Sequence, residues 1–502
     1  MSIRLLYKNS FITIVAKIVN ALFQILCLPV LIKTFGKDDY GLIVIAMSLN
    51  TFVAILQFGL PTGLPKFVAE WLAKGERKEL DSALRAVSTF YLLVAATNLL
   101  ILLFIALWGS DVFNVRPDQT ATLQSVLIIT AISSFLAIPA TMLDQSLAGA
   151  QEIGFTSCLE MIKNLFFASL VVFVYFEPQI LSLSQFYVMR CTLMFLMIPF
   201  KLRRWQKHGS LTMFIPGLNF KAALPLLKYC LALMAFGIFT VTAEKLRPII
   251  LGIRIPSDAG NALTDFQIID YARIFLAMVS SSFITVLVPY ISGAVADGNN
   301  GLYKKIIIRG TKIVWTLGAL MGFVIIMLSK EVILIYVGPE YLHLQKWLEL
   351  LIIGFLYNLY NPAMSSAILS TNTLTPLIFA TSIGSLISFL ICWGFSASMG
   401  VGAIVYSLIG YNAVVFCVTH FWYFPRYFNV NPIHQIFNVM LPPLLAGISM
   451  CIIGRWIIDF LGFTNNYINI TVGALSGTII YIVIILLVYI RPTEINNLIL
   501  KR

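Results

Sequence analysis

The sequence predicts an all-α polytopic membrane protein with about fourteen transmembrane helices, twelve being the lower count. Three observations predict it. Of 502 residues, 59% are hydrophobic and only 11% charged, with mean hydropathy +0.91; soluble domains carry about 25% charged residues, so a water-facing surface cannot be coated. The apolar stretches are long and unbroken, whereas barrel strands would read as alternating segments of ~10 residues. Fourteen crossings at ~20 residues each fit comfortably in the chain. Soluble enzymes, disordered chains and fibrous repeats are excluded together.

Apolar runs bounded by charge, proline or glycine place the spans at 11–32, 42–69, 86–108, 121–147, 157–176, 183–201, 224–252, 268–296, 306–329, 343–371, 374–396, 399–423, 434–460 and 467–490. Only Ala397-Ser398 separates the eleventh from the twelfth. The first run lacks the small-residue cleavage site of a signal peptide and is expected to stay as a helix. With these spans, 18 loop Lys and Arg residues lie on the side of the termini, clustered as in Arg203-Arg204 and Lys304-Lys305, against five opposite: Lys33, Lys37, Arg116, Arg254 and Lys330. The positive-inside rule then puts both termini in the cytoplasm. Most of the net charge of +12 is topology signal, and no nucleic-acid partner is expected.

No connection is long. The largest, from Leu202 to Ala223, is basic and reads as a cytoplasmic surface linker. With no room for an extramembrane catalytic domain, no catalytic residues and no enzyme activity are expected. The seven cysteines are scattered without CxxC spacing and the four histidines lie on separate segments, so neither a disulfide frame nor a metal site is predicted. The cysteines are expected to pack as small apolar residues, and no cofactor is expected.

An internal repeat organises the chain. Pro29, Pro65, Gly75 and Pro139 find counterparts in Pro248, Pro289, Gly298 and Pro362 at offsets of 219 to 224 residues; the pair Asp39-Tyr40 matches Asp270-Tyr271 at 231. An offset of six spans makes the halves parallel repeats, which in transporters place the substrate site at their interface. The predicted domains are an N-lobe at 1–205, a linker at 206–223, a C-lobe at 224–425, and an added helix pair with a cytoplasmic tail at 426–502.

The same residues resemble the polysaccharide and lipid-linked oligosaccharide flippases, the O-antigen-type exporters of the multidrug/oligosaccharidyl-lipid/polysaccharide superfamily. The similar stretches are Phe35-Gly36-Lys37-Asp38-Asp39-Tyr40-Gly41, Phe58-Gly59-Leu60 through Pro65-Lys66-Phe67-Val68-Ala69-Glu70, Leu147-Ala148-Gly149-Ala150-Gln151, Ile250-Leu251-Gly252, Tyr271-Ala272-Arg273, Pro289-Tyr290-Ile291-Ser292 and Gly338-Pro339-Glu340-Tyr341. They span residues 1 to about 425. The resemblance implies a V-shaped bundle of two six-helix lobes around a central cationic cavity in the cell inner (plasma) membrane. It also implies passage of an undecaprenyl-diphosphate-type glycolipid between leaflets, serving lipopolysaccharide or other polysaccharide biosynthesis, with glycan polymerase and assembly proteins as candidate partners beside the membrane lipids. One departure stands. Relatives often carry an acid-base pair directly before the stretch matched by Ile250-Leu251-Gly252; here Glu244-Lys245 lies further upstream and Arg247-Pro248 is nearer, so either pair fills that slot.

Charge inside a span is costly, so an intramembrane ion is a functional candidate by default. Eleven basic residues fall there: Lys17, Lys66, Lys163, Arg190, Lys228, Lys245, Arg247, Arg273, Lys312, Lys346 and Arg455. Lys228 and Lys312 sit near helix ends and can snorkel to headgroups. Glu160/Lys163, Lys346/Glu349 and Arg455/Asp459 are spaced to pair along one helix face. Lys17, Lys66, Lys245, Arg247 and Arg273 remain, on spans one, two, seven and eight, and are the candidates for gripping a diphosphate; Arg supplies a planar fork and Lys a mobile point charge. Arg247 and Arg273 can alternatively act as interfacial anchors. Asp144, Glu244 and Asp270 are candidates for a coupling proton or sodium ion, or for partnering nearby cations. Gly59, Pro61, Gly63 and Pro65 should bend or break span two, as a hinge or a packed kink. Two other functions compete: a cation-coupled drug antiporter of the same superfamily, and a non-transporting scaffold or glycan polymerase.

Overall fold

In hydrocarbon a backbone can be satisfied only by helices or a closed barrel. The computed structural model is all helix, with no strand among the described residues. It describes the chain except residues 1–2, 54–56, 58, 109–111, 220, 222, 256–258, 297–299, 362–374, 429–430, 463–464 and 490–502, together with some further side chains, including that of Lys17 and those of 282–306. Pro362-Ala363 and Gly298 of the repeat, and the tail, therefore lie outside the described residues.

The principal helices are α1 (Ile3–Phe35), α2 (Lys37–Val53), α3 (Leu60–Lys74), α4 (Arg77–Trp108), α5 (Thr120–Gly149), α6 (Ile153–Phe176), α7 (Leu183–Phe195), α8 (Ile198–Trp205), α9 (Leu224–Arg254), α10 (Ala259–Ala296), α11 (Asn300–Met327), α12 (Ser329–Tyr336), α13 (Gln345–Tyr360), α14 (Thr375–Met399), α15 (Val401–Cys417), α16 (Leu441–Leu461) and α17 (Asn466–Tyr489). Among the described residues, nine segments are long and apolar enough to cross a membrane. They correspond to nine of the fourteen predicted spans. Of the other five, span two is split into α2 and α3, and the tenth runs past α13 into residues outside the described set.

Boundaries moved where polar residues are used inside the fold. α10 begins at Ala259 rather than 268, because Thr264 donates to the Lys37 carbonyl at 2.7 Å and Asp265 holds His343 at 3.3 Å. The gap expected between spans seven and eight, at 253–267, thereby narrows to the residues between Arg254 and Ala259. The turn expected at Ala397-Ser398 falls instead at Gly400, with φ +54°. Nor is the basic segment after Leu202 a loose surface linker. Trp205 and Met213 are buried beside Leu80 and Leu84 of α4. Ser88 donates to the Phe214 carbonyl at 2.6 Å, and the Gly217 amide donates to the Arg85 carbonyl at 3.0 Å. Hydropathy alone could not show this, since the strap is held by backbone hydrogen bonds and three large apolar side chains in a charged stretch.

Two compact units emerge: Met1–Thr264 with Cys392–Gly400, and Asp265–Ile391 with Val401–Arg502. In the first, α5 packs on α2, α3, α4 and α7, α1 on α6, and α9 on α2 and α3. Span seven thus packs within the first unit, so the contact boundary falls after that span whereas the repeat boundary falls before it. In the second, α11 packs on α13 and α16, α13 on α15, and α16 on α17. Its core holds Trp315, fully buried, donating to the Met440 carbonyl at 2.9 Å and meeting Tyr360 edge-on. A Cβ at Gly477 would stand 2.9 Å from the Met327 methyl, so the final pair seats on α11 through small residues.

Candidate functional site

The motif Phe35–Gly41 is a clamp at one end of the first unit. Gly36, with φ +88°, turns the chain between α1 and α2. Asp38 then pairs with Arg116 at 2.6 Å and Asp39 accepts from Gln119 at 2.7 Å, which ties the α2 start to the α4–α5 connection. Asn114 in that connection donates to the carbonyls of Ile253 and Ile255, and its own carbonyl accepts from Ala259. Gly41 and Gly260 cross here backbone to backbone: a Cβ on Gly260 would stand 2.6 Å from the Asp38 carbonyl oxygen. The motif's residue types follow from this crossing.

The candidate hinge residues separate into different jobs. Gly59, at φ +73°, is where span two breaks, and α3 starts at the next residue. Pro61 sits in the first turn, where a missing N–H costs nothing. Gly63 is a contact residue, since a Cβ there would collide with the Cys230 sulfur of α9. Pro65 lies inside α3 and removes one helical hydrogen bond.

The candidate cations are also unequal. Lys66 is exposed on α3 with its ammonium 4.1 Å from the Tyr229 ring centroid, a cation–π geometry. On α9, Glu244 is exposed and Lys245 half-buried, while Arg247 is buried at 5% exposure and its carbonyl accepts from the Cys392 thiol at 3.8 Å. The Lys17 side chain lies outside the described set. In the second unit, Arg273 forks both oxygens of Asp270 one helical turn away, through Nε and, at 3.0 Å, a terminal nitrogen. Its guanidinium also lies 5.8 Å from the Phe355 ring. Both side chains of the pair are largely buried, at 15% and 8% exposure.

Partners that are distant in sequence escaped the helical-spacing argument. Asp144 pairs with Lys201 of α8 at 2.6 Å. Arg455 pairs with buried Glu331 of α12 at 2.9 Å, with Asp459 a looser second partner at 3.8 Å. The expected Lys346/Glu349 pair is not made: Glu349 accepts instead from Ser329 and Gln345, at 2.6 and 2.9 Å. Glu160 is not within ion-pair distance of Lys163 either, although it acts on it electrostatically from further away. Outside the spans, Glu152 at the N-cap of α6 is tied to the strap through Arg204 at 2.8 Å and His208 at 3.1 Å. Burial works to raise its carboxyl, but hydrogen bonds from Arg204 and His208 outweigh burial and hold it below the usual carboxylate range.

No protein-family model and no curated protein matches the sequence. Solved structures do match in fold. The lipid II flippase MurJ, in an inward closed conformation, superposes over 96% of this chain and 98% of its own with TM-score 0.68 at 13% identity. The MATE multidrug transporter DinF-BH, solved as a ligand complex, covers 86% of this chain and 98% of its own with TM-score 0.62 at 11% identity. A multidrug resistance MATE family transporter of the MOP superfamily, inward-facing, covers 82% and 97% with TM-score 0.59 at 12% identity. The chain shares its fold with these solved structures.

Proposed function

We propose that this chain is a transporter that moves a lipid-linked oligosaccharide, on an undecaprenyl-diphosphate-type carrier, from the cytoplasmic to the outer leaflet by alternating access, for cell-surface polysaccharide assembly. The extent of the fold carries this reading. The superposition on the lipid II flippase leaves only 4% of the 502 residues unmatched, about 20, so it must include much of α16 and α17, which hold 21 and 24 residues. The two MATE structures leave 14% and 18% of the chain unmatched. Charge agrees with extent. Asp144, Asp270 and Glu331 are each bound to a basic side chain, which leaves these carboxylates poorly disposed to take a cationic drug.

The protein sits in the plasma membrane with both termini cytoplasmic, and the basic strap after Leu202 lies on that face. Arg273, Arg247, Lys245, Lys66 and Lys17 are the residues proposed to meet the diphosphate; a proton or sodium ion bound at Glu244 supplies the drive, since Asp270 and Asp144 are taken up by Arg273 and Lys201, and the break at Gly59 supplies bending. Expression in a bacterium lacking its own surface-polysaccharide flippase tests the reading. Restored surface polysaccharide is the expected result. Resistance to cationic drugs without restored polysaccharide would establish the antiporter instead.

A further inference from the structure

The first unit holds a partly open cavity of about 340 Å³ between α1, α2, α5, α6 and α7, within the range of small-molecule sites. Two of its walls carry cations, Lys163 of α6 and Arg190 of α7. Among the described residues no carboxylate lines it. Among the described residues neither cation has an ion-pair partner: Glu160 and Asp144 act on Lys163 only from beyond that distance, and Asp144 is held by Lys201. Two like charges facing one low-dielectric space repel each other and are desolvated together. An anion between them removes both penalties.

The rest of the lining suits an anion. Arg190 rests its guanidinium 5.2 Å from the Phe167 ring and 6.0 Å from the Tyr187 ring. A guanidinium offers its planar N–H groups to oxygen acceptors as a fork. Asn50 accepts from Asn98 at 3.2 Å and from Ser134 at 2.6 Å through Oδ1. That fixes the amide, and its Nδ2 donors have no acceptor among the described residues. Asn164 and Gln24 add further neutral donors. Two cations, a fixed amide donor at Asn50 and no carboxylate among the described lining residues favour a phosphate-type anion over a metal ion or a cationic drug.

We propose that this cavity is an anion-binding site for a phosphate or diphosphate group, with Lys163 and Arg190 as its charged ligands and Asn50 as a fixed neutral donor. The site deepens the flippase reading, on which it rests for one source of the anion, a lipid-linked diphosphate headgroup; the other source is a free soluble phosphate.

Titration calorimetry on the full-length protein in detergent tests it, with inorganic pyrophosphate and a short-chain prenyl diphosphate as probes. Pyrophosphate should bind, and the double variant Lys163→Gln/Arg190→Gln should weaken binding by at least tenfold while Lys74→Gln, on an exposed helix end, leaves it unchanged. If the double variant does not fold, Arg190→Lys and Lys163→Arg keep the charge, and each should weaken pyrophosphate severalfold without changing its salt dependence. Tighter binding of the prenyl diphosphate, lost in the same variants, assigns the anion to a lipid headgroup; equal binding of both probes assigns it to a soluble anion. A folded double variant that binds pyrophosphate as the wild type does, or charge-preserving variants indistinguishable from wild type, would overturn the site. Glycolipid transfer by wild type alongside such indifferent binding leaves the flippase standing and the site fallen. Charge-dependent pyrophosphate binding without any transfer by wild type does the reverse.

Discussion

Arg273 and Asp270 illustrate how one residue's role is tied to its neighbour's. Removing one partner of a largely buried pair leaves an uncompensated charge, at a cost of roughly 3–5 kcal/mol. Arg273→Ala should therefore lower the melting temperature markedly, and Asp270→Asn/Arg273→Gln should recover most of the loss. If Arg273 also grips substrate, the double variant regains stability without regaining transport; full transport in it would limit Arg273 to pairing with Asp270. At Glu152 the carboxyl is held below its ordinary value of 4.5 by Arg204 and His208. A depressed pKa gives stability that is complete above the unfolded value and lost as pH falls through the folded one. Acid unfolding followed between pH 5 and 2 should show Glu152→Gln flatter in that window than wild type and less stable at pH 7 by about 1–2 kcal/mol; equal pH slopes would rule out the linkage. The candidate intramembrane ions were legible because charge is rare in a span. Their partners were not, since Lys201 and Glu331 reach Asp144 and Arg455 across 57 and 124 positions of sequence.

For the helices, hydropathy located each of the nine long apolar spans among the described residues, and missed what polar residues do at helix ends. The start of α10 reads as loop from Asn261, Thr264 and Asp265, yet Thr264 and Asp265 bond within their own units. The break in span two was legible from its glycines and prolines, but only φ at Gly59 separates the turn from the packing contact at Gly63. The crossing of Gly41 over Gly260 makes a sharper test. Gly41→Ala would drive a methyl into the Gly260 carbonyl, which no rotamer change relieves, and overpacking typically costs about 1–3 kcal/mol or more. Gly394→Ala, with nothing within 4 Å of its Cβ on α14, should be neutral or stabilising by up to about 1 kcal/mol. Melting of both variants in detergent checks the pair; equal melting temperatures would contradict the close crossing.

Across the whole molecule, composition and the loop charges are enough to read a multi-span helical protein, and the fold agrees along nearly its full length with a lipid II flippase structure. Substrate is a different matter, because the same fold also serves the multidrug transporters at comparable identity. What distinguishes the readings is which ions face the interior, and that depends on pairings between helices that spacing along one helix does not reveal. The direct measurement is transfer across a bilayer. Purified protein in vesicles would be given a fluorescent undecaprenyl-diphosphate-linked oligosaccharide, and the fraction reached by an added membrane-impermeant quencher followed with time. The flippase reading predicts that lipid initially shielded in the inner leaflet becomes quenchable far faster than in protein-free vesicles, with Arg273→Ala slowing it. Rates equal to protein-free vesicles, together with gradient-driven uptake of a cationic dye in the same preparation, would contradict it.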